Sequence, residues 1–175
     1  MSKLIKAPPT QIAVWGGALA RSTGLDGKWL AIPTGHQPAI PTFGTGSDPA
    51  TSYTLSLTAD DLLSVMWTPL HTIHITGCKI FYGQGGGNNT THSACLMRYD
   101  QDTDGDLSNG HQIGAVTTSV SSHDYSHIGG ISVAIDTDNK VAIVPLTDRQ
   151  ILIAMLFCHD NINASVTGKC VIEYK

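Results

Sequence analysis

The 175-residue chain reads as an all-β protein, and three observations say so. Its acidic residues are 13 aspartates against a single glutamate, Glu173; aspartate serves turns, whereas exposed helix faces draw on Glu, Lys and Gln. Gly, Ser, Thr, Asn and Pro are abundant, which favours turns and strands. Apolar runs of strand length recur at regular intervals with turn signals between them, the rhythm of a sandwich or barrel.

At this length one domain with its own core is expected, not two. The reading divides the chain into an N-terminal appendage, residues 1–47, and a body, residues 48–175. The appendage carries the tetrapeptide Ala-Ile-Pro-Thr twice, at 31–34 and 39–42. Pro33, Pro38 and Pro41 fix φ, lack a backbone donor, and push Ile32, Gln37 and Ile40 toward extended conformations. At roughly 3.1 Å per residue such a run carries Ile32 to the position of Ile40 over about 25 Å. Nearly fifty residues with little strand rhythm are long for a structureless element of a compact domain, and lone aromatics must bury somewhere. The expectation is therefore an extended arm that docks on a partner through Trp15, Trp29, Ile32, Pro33, Ile40 and Pro41. Folding back on the chain's own sandwich is the other way to bury them.

The body begins where Tyr53, Leu55 and Leu57 alternate with Thr54 and Ser56, a period of two. The segment 60–67 is read as strand, although Thr58 is placed to cap a short helix and Pro69 to end one. Further strands are expected over 71–82, 91–99, 111–120, 130–135, 140–144, 149–158 and 166–174, with turns at 83–89, 100–110, 121–128, 136–139 and 160–163. That makes about eight strands, the count of an antiparallel jelly-roll sandwich; a Greek-key barrel is the alternative. Ile73, Ile75, Ile80, Leu96, Ile151, Ile153, Met155, Phe157, Val171 and Ile172 are the expected core.

Charge is divided unevenly. Residues 1–47 hold four basic residues against Asp26, while residues 48–175 hold six against 13 acidic ones. An acidic body disfavours nucleic acid as a partner. The N-terminus has lysines but no apolar core of a secretory signal, and the longest apolar run, residues 151–158, falls far short of the roughly 20 residues a spanning helix needs. Synthesis in a cytoplasm and no membrane segment are expected. Cys78, Cys95, Cys158 and Cys170 lack Cys-x-x-Cys spacing and read as reduced, small hydrophobes.

The sharpest chemical motif is Asp100-x-Asp102-x-Asp104-Gly105-Asp106-x-Ser108, since carboxylates at alternate positions before a glycine can wrap oxygens around Ca²⁺. His111 stands where a bidentate glutamate belongs, and the flanks are strand-like. An Asp/Gly hairpin loop is the plainer reading, and no metal is assigned. His71 and His74, three apart, fall on opposite faces of a strand; His123 and His127 lie in a Ser/Gly-rich loop without companion ligands. No nucleophile elbow, phosphate loop or His-Glu-x-x-His is present, and residues 83–87 lack the helix of a nucleotide site. No catalytic residue and no cofactor is assigned; the chain is read as not an enzyme.

Residues 78–100, continuing into 103–110, resemble small virion structural proteins of tailed bacteriophages. The strand layout over about residues 50–175, with its apolar last strand, also resembles the trimeric C1q/TNF-like jelly roll. The resemblance implies a homotrimer on a virion surface. The expectation drawn from it is a capsid decoration (cement) protein, synthesised in the host cytoplasm, whose partner is the major capsid protein or another virion protein. The alternative is a receptor- or glycan-binding head of a fibre or spike, displaying residues 83–89, His92 and 121–127.

Overall fold

The computed structural model describes residues 9–19, 28–35, 42–45, 49, 66–85, 91–103, 106–113, 117–120, 126–133, 135, 142–143, 149–158 and 166–175. Among them there is no helix. The strands are β1 (Gln11–Leu19), β2 (Lys28–Ala31), β3 (Thr42–Thr45), β4 (Ile73–Gly85), β5 (Thr91–Gln101), β6 (Leu107–Gln112), β7 (Thr117–Val120), β8 (Ser126–Val133), β9 (Ala142–Ile143), β10 (Gln150–Cys158) and β11 (Val166–Tyr174). They form an antiparallel jelly-roll sandwich. The first sheet runs β1-β11-β4-β8, with β9 on the start of β4; the second runs β2-β10-β5-β6, with β3 extending it beyond β2 and β7 also pairing with β5. From β1 to β2, β3 to β4, β4 to β5, β7 to β8, β9 to β10 and β10 to β11 the chain changes sheet.

The two sheets are patterned differently. In β4, buried Ile73 and Ile75 alternate with exposed His74 and Thr76, and buried Cys78, Ile80 and Tyr82 with exposed Lys79 and Phe81. The phase slips by one at Thr76-Gly77, opposite the register shift between Glu173 and Tyr174 in β11. That is a β-bulge, and it keeps both halves of the long strand facing the core. In β10, by contrast, every residue from Ile151 to Phe157 is buried. Leu152, Ala154 and Leu156 face the first sheet, packing with Trp15, Ile80, Cys170 and Ile172. Ile151, Ile153, Met155 and Phe157 enter a second cluster with Trp29, Phe43, Cys95, Met97, Tyr99 and Leu107. The second sheet is thus apolar on both faces, which is why its sequence reads as a continuous run.

The arm expected over residues 1–47 is not an arm where it is described. Strand β1 pairs with β11 over its whole length, Gln11 with Tyr174 through Leu19 with Val166. Strand β2 pairs with β10, Trp29 opposite Phe157 and Ala31 opposite Met155. Two features hid these strands. Gly16-Gly17 interrupts β1, and glycine weakens a strand reading; yet a Cβ on Gly16 would collide with the Gly168 carbonyl oxygen and lie 2.6 Å from Lys169 Cα, so the close approach of β1 to β11 demands glycine there. In β2, Trp29 and Ala31 enter the second cluster while Leu30 and Ile32 enter the first, so four consecutive apolar residues conceal a period of two. Pro33 does end the strand, after Ile32 N–H donates to the Ala154 carbonyl at 2.8 Å.

Elsewhere the boundaries shift. Strand β6 begins at Leu107, inside the turn expected over 100–110, 111–120 is split into the end of β6 and β7, and β8 begins at Ser126 inside an expected turn. Trp67 forms an isolated antiparallel bridge with Leu152, with N–H to O distances of 2.9 Å in both directions. The Tyr53–Leu57 strand and most of 60–67 lie outside the described residues, as do Ile40 and Pro41. Of the expected core, all residues are buried except Val171, which is half-buried on the outward face of β11.

Candidate functional site

The structure puts four of the six expected partner contacts, Trp15, Trp29, Ile32 and Pro33, inside the protein. Trp15 is buried in the inter-sheet core and stacks on Trp67, with ring centroids 5.5 Å apart and planes at 20°; Trp67 meets Tyr174 at 5.7 Å. Trp29 is fully buried against Phe157, centroids 5.0 Å apart. Ile32 lies over Gly168, where an added Cβ would come 3.1 Å from Ile32 Cγ1, and Pro33 lies over Gly17 in the same way at 3.3 Å. None of the four is available to another molecule. His92, expected on a displayed loop, is also fully buried, its ring 4.4 Å from that of Tyr82 across the sandwich.

What the sequence reading passed over is the outward face of the first sheet. Four large apolar side chains are exposed among the described residues, and three of them stand here: Ile12 at 62%, Val14 at 54% and Phe81 at 38%. The register sets them in rows. Ile12 is opposite Glu173, which is opposite Gly77. Val14 is opposite Val171, then Lys79, then Ser132. Gly16 is opposite Lys169, then Phe81, then Gly130. Half-buried Val171 therefore joins Val14 to the middle of the sheet, and Lys79 sets its Nζ 4.9 Å from the Phe81 ring centroid, a cation–π contact at a partly exposed site. Alternation gave the only available clue: β1 is apolar at Ile12 and Val14 as well as at Ala13 and Trp15, and Ile80-Phe81-Tyr82 is apolar without a break.

Beside Phe81 the face is hollow. Glycines at 16, 17, 83 and 168 leave a depression of about 530 Å³, walled by Val14, Phe81, Thr167 and Lys169. A second, smaller depression of about 310 Å³ lies at the sandwich end, between Gln11, Trp67, Leu70, His71 and Tyr174; Leu70 is 91% exposed there.

The aspartate motif serves its hairpin. Asp106 N–H donates to Asp102 Oδ1 at 2.9 Å, Asp102 N–H donates to the Asp106 carbonyl at 3.0 Å, and Asn109 Nδ2 donates to Asp100 Oδ2 at 2.9 Å. Asp104 lies outside the described residues, among which no three His, Cys, Asp or Glu side chains converge on a metal position. Cys78, Cys95 and Cys170 are buried free thiols, with the Cys78 and Cys170 sulfurs 3.9 Å apart. Burial, and then the neighbouring Cys78, push the Cys95 and Cys170 thiols well above their ordinary value, so they stay protonated and inert as nucleophiles. Burial raises the Tyr99 phenol likewise, with Cys95 adding to it.

Compared with known proteins, the chain matches no family model, no curated protein and no solved structure. Its chemistry has to be read from the molecule: a β-sandwich whose distinctive exposed feature is an apolar, lysine-bearing sheet face.

Proposed function

We propose that the chain is a virion structural protein, a decoration protein that binds the outer surface of a phage capsid as a homotrimer, and that it works by association and not by turnover. The observation that carries this reading is the outward face of β1, β11 and β4. Contiguous exposed apolar surface of this kind on a folded domain marks an interaction site, and the jelly-roll architecture agrees with the resemblance of residues 50–175 to trimeric virion proteins. The expected means of attachment changes. With Trp15, Trp29, Ile32 and Pro33 enclosed, the sandwich itself has to meet the major capsid protein or whichever virion protein holds it.

A receptor- or glycan-binding head is the second reading, favoured by the two depressions, whose volumes lie in or near the range of ligand sites, and by the aromatic side chains of Trp67 and Tyr174 at the smaller one. The experiment that separates them is reconstitution: purified chain is added to capsids that lack it, and occupancy is read by electron microscopy beside the temperature at which particles rupture. Density on the shell with a raised rupture temperature is expected. Bare shells, together with labelled chain at fibre tips of complete particles, would overturn the decoration reading in favour of the second.

A further inference from the structure

We infer that the outward face of the first sheet is the surface on which a second copy of this chain seats, the Ile12–Glu173 end of one copy against the Lys169–Phe81 end of the other. The inference rests on the self-association in the reading above, not on where in a virion the chain sits. The starting point is the contrast between the sheets. The second sheet has apolar side chains on both faces and buries both, whereas the first leaves Ile12, Val14 and Phe81 open to solvent around Val171. Such a strip calls for a cover.

The cover is a second copy because the face is complementary to itself. Along β11 the outward positions are Lys169, Val171 and Glu173: cation, apolar residue, anion, spread over roughly 13 Å at about 3.3 Å per residue. Neither Lys169 nor Glu173 has an ion-pair partner among the described residues. Shape follows the same polarity. Ile12 projects at the Glu173 end, and the glycine-floored depression lies at the Lys169 end. Turning the face end for end about Val171 sets the Glu173 of each copy over the Lys169 of the other and brings each Ile12 toward the other's hollow. Stacking without the turn puts like charge on like, which costs several kcal/mol at an interface. Charge and shape thus exclude the same wrong register. A two-fold pair uses both ends at once, and a closed ring passes the Glu173 end of each copy to the Lys169 end of the next. Gly16 keeps the hollow open, since the β11 backbone leaves no room for a side chain there.

The test uses the full chain, with sedimentation and light scattering across a dilution series. Val14→Asp, Glu173→Lys and the double reversal Lys169→Glu/Glu173→Lys all change exposed positions, and circular dichroism checks that each variant is folded. The wild-type chain is expected to be an oligomer at micromolar concentration. V14D should weaken association about 100-fold and E173K about 10-fold, while the double reversal restores it to within about 3-fold. If V14D does not fold, the charge series carries the test alone. An oligomer indifferent to these variants overturns this face as the interface and leaves self-association standing. A double reversal no better than E173K overturns the docking stated here, and a wild-type monomer overturns both. A dimer supports this face and counts against the trimer proposed above; a trimer supports both.

Discussion

The two sheets of the sandwich share one core and differ in what lies on their other sides. Beyond the second sheet a further apolar cluster holds Trp29, Phe43, Tyr99 and Phe157. Beyond the first lie Ile12, Val14, Val171 and Phe81, exposed or half-buried, set among glycines and two lysines. The same residue types therefore do opposite things by position. On the second sheet they stabilise the fold; on the first they contribute little to it and are available to a partner. Substitutions on the two outer faces should separate stability from association.

The largest effect comes from removing residues 1–47, which takes an edge strand from the first sheet and two strands from the second. The chain without them loses nine residue pairings to β11 and the fully buried Trp29, Leu30 and Ile32. Burying one such side chain is worth about 1.5–3 kcal/mol, so these three, with buried Trp15, Pro33 and Phe43, bring the loss into the range of about 5–15 kcal/mol that holds an ordinary domain. Expression of residues 48–175 should give insoluble or unfolded protein. A soluble product with sharp amide resonances would return these residues to the status of an arm.

Next come single substitutions on the two outer faces. Trp29→Ala opens a cavity beside Phe157 and should cost about 3–5 kcal/mol, whereas Val14→Ala should stay within about 0.5 kcal/mol. Trp29→Phe sharpens the comparison. The indole Nε1 of Trp29 is buried without an acceptor among the described residues, and removing an unsatisfied donor offsets part of the lost packing, so the phenylalanine variant should lose far less than the alanine one. Urea denaturation of the three proteins decides it; V14A as costly as W29A would show that the outer face of the first sheet is a core after all.

Alkali should act mainly on the second sheet and the shared core. Cys95, Tyr99 and Cys170 hold their protons in the folded state above their ordinary values of 9.0, 10.0 and 9.0. Below pH 9 both states keep these protons and stability is unaffected. Above it the unfolded chain releases them first and binds fewer protons than the folded one, so stability falls as pH rises. Each thiol contributes at most about 1.4 kcal/mol per pH unit beyond 9. Melting temperatures should decline more steeply above pH 9 than in a Cys95→Ala variant, which lacks one of the three groups; parallel declines would remove Cys95 from the account.

Much of this contrast was written in the sequence. The run from Ile151 to Phe157 could be read at once as a strand buried on both faces, and the alternation of Ile73 to Tyr82 as a strand with one wet side. The N-terminal strands were harder because their partners are distant: β1 is a strand only beside β11, more than 140 positions along, and Gly16-Gly17 looks like a turn until the backbone pressed against it is seen. Prolines near Ile32 argued correctly for extended backbone and wrongly for exposure, since extension is compatible with the edge of a sheet. The exposed face was illegible for another reason. Which side of Ile12-Ala-Val-Trp15 faces the core depends on β1's register with β11, and no local pattern sets it.

The smallest effect concerns the hairpin between β5 and β6, at an edge of the second sheet. Asp102 caps its own turn: its Oδ1 accepts from Asp106 N–H while its N–H reaches back to the Asp106 carbonyl. Asp-to-Ala changes at backbone caps cost about 0.5–2 kcal/mol, and the site is exposed, so Asp102→Ala should fall at the lower end, near 0.5 kcal/mol. Leu107 lies immediately beyond this turn and is fully buried in the second cluster, which makes the effect measurable by hydrogen exchange even where the melting temperature hardly moves. Amides of residues 98–112 should exchange faster in Asp102→Ala, with those of β1 and β11 unchanged. If the β1 and β11 amides lose protection equally, the hairpin is coupled to the first sheet, and the two outer faces are not the independent surfaces that their packing describes.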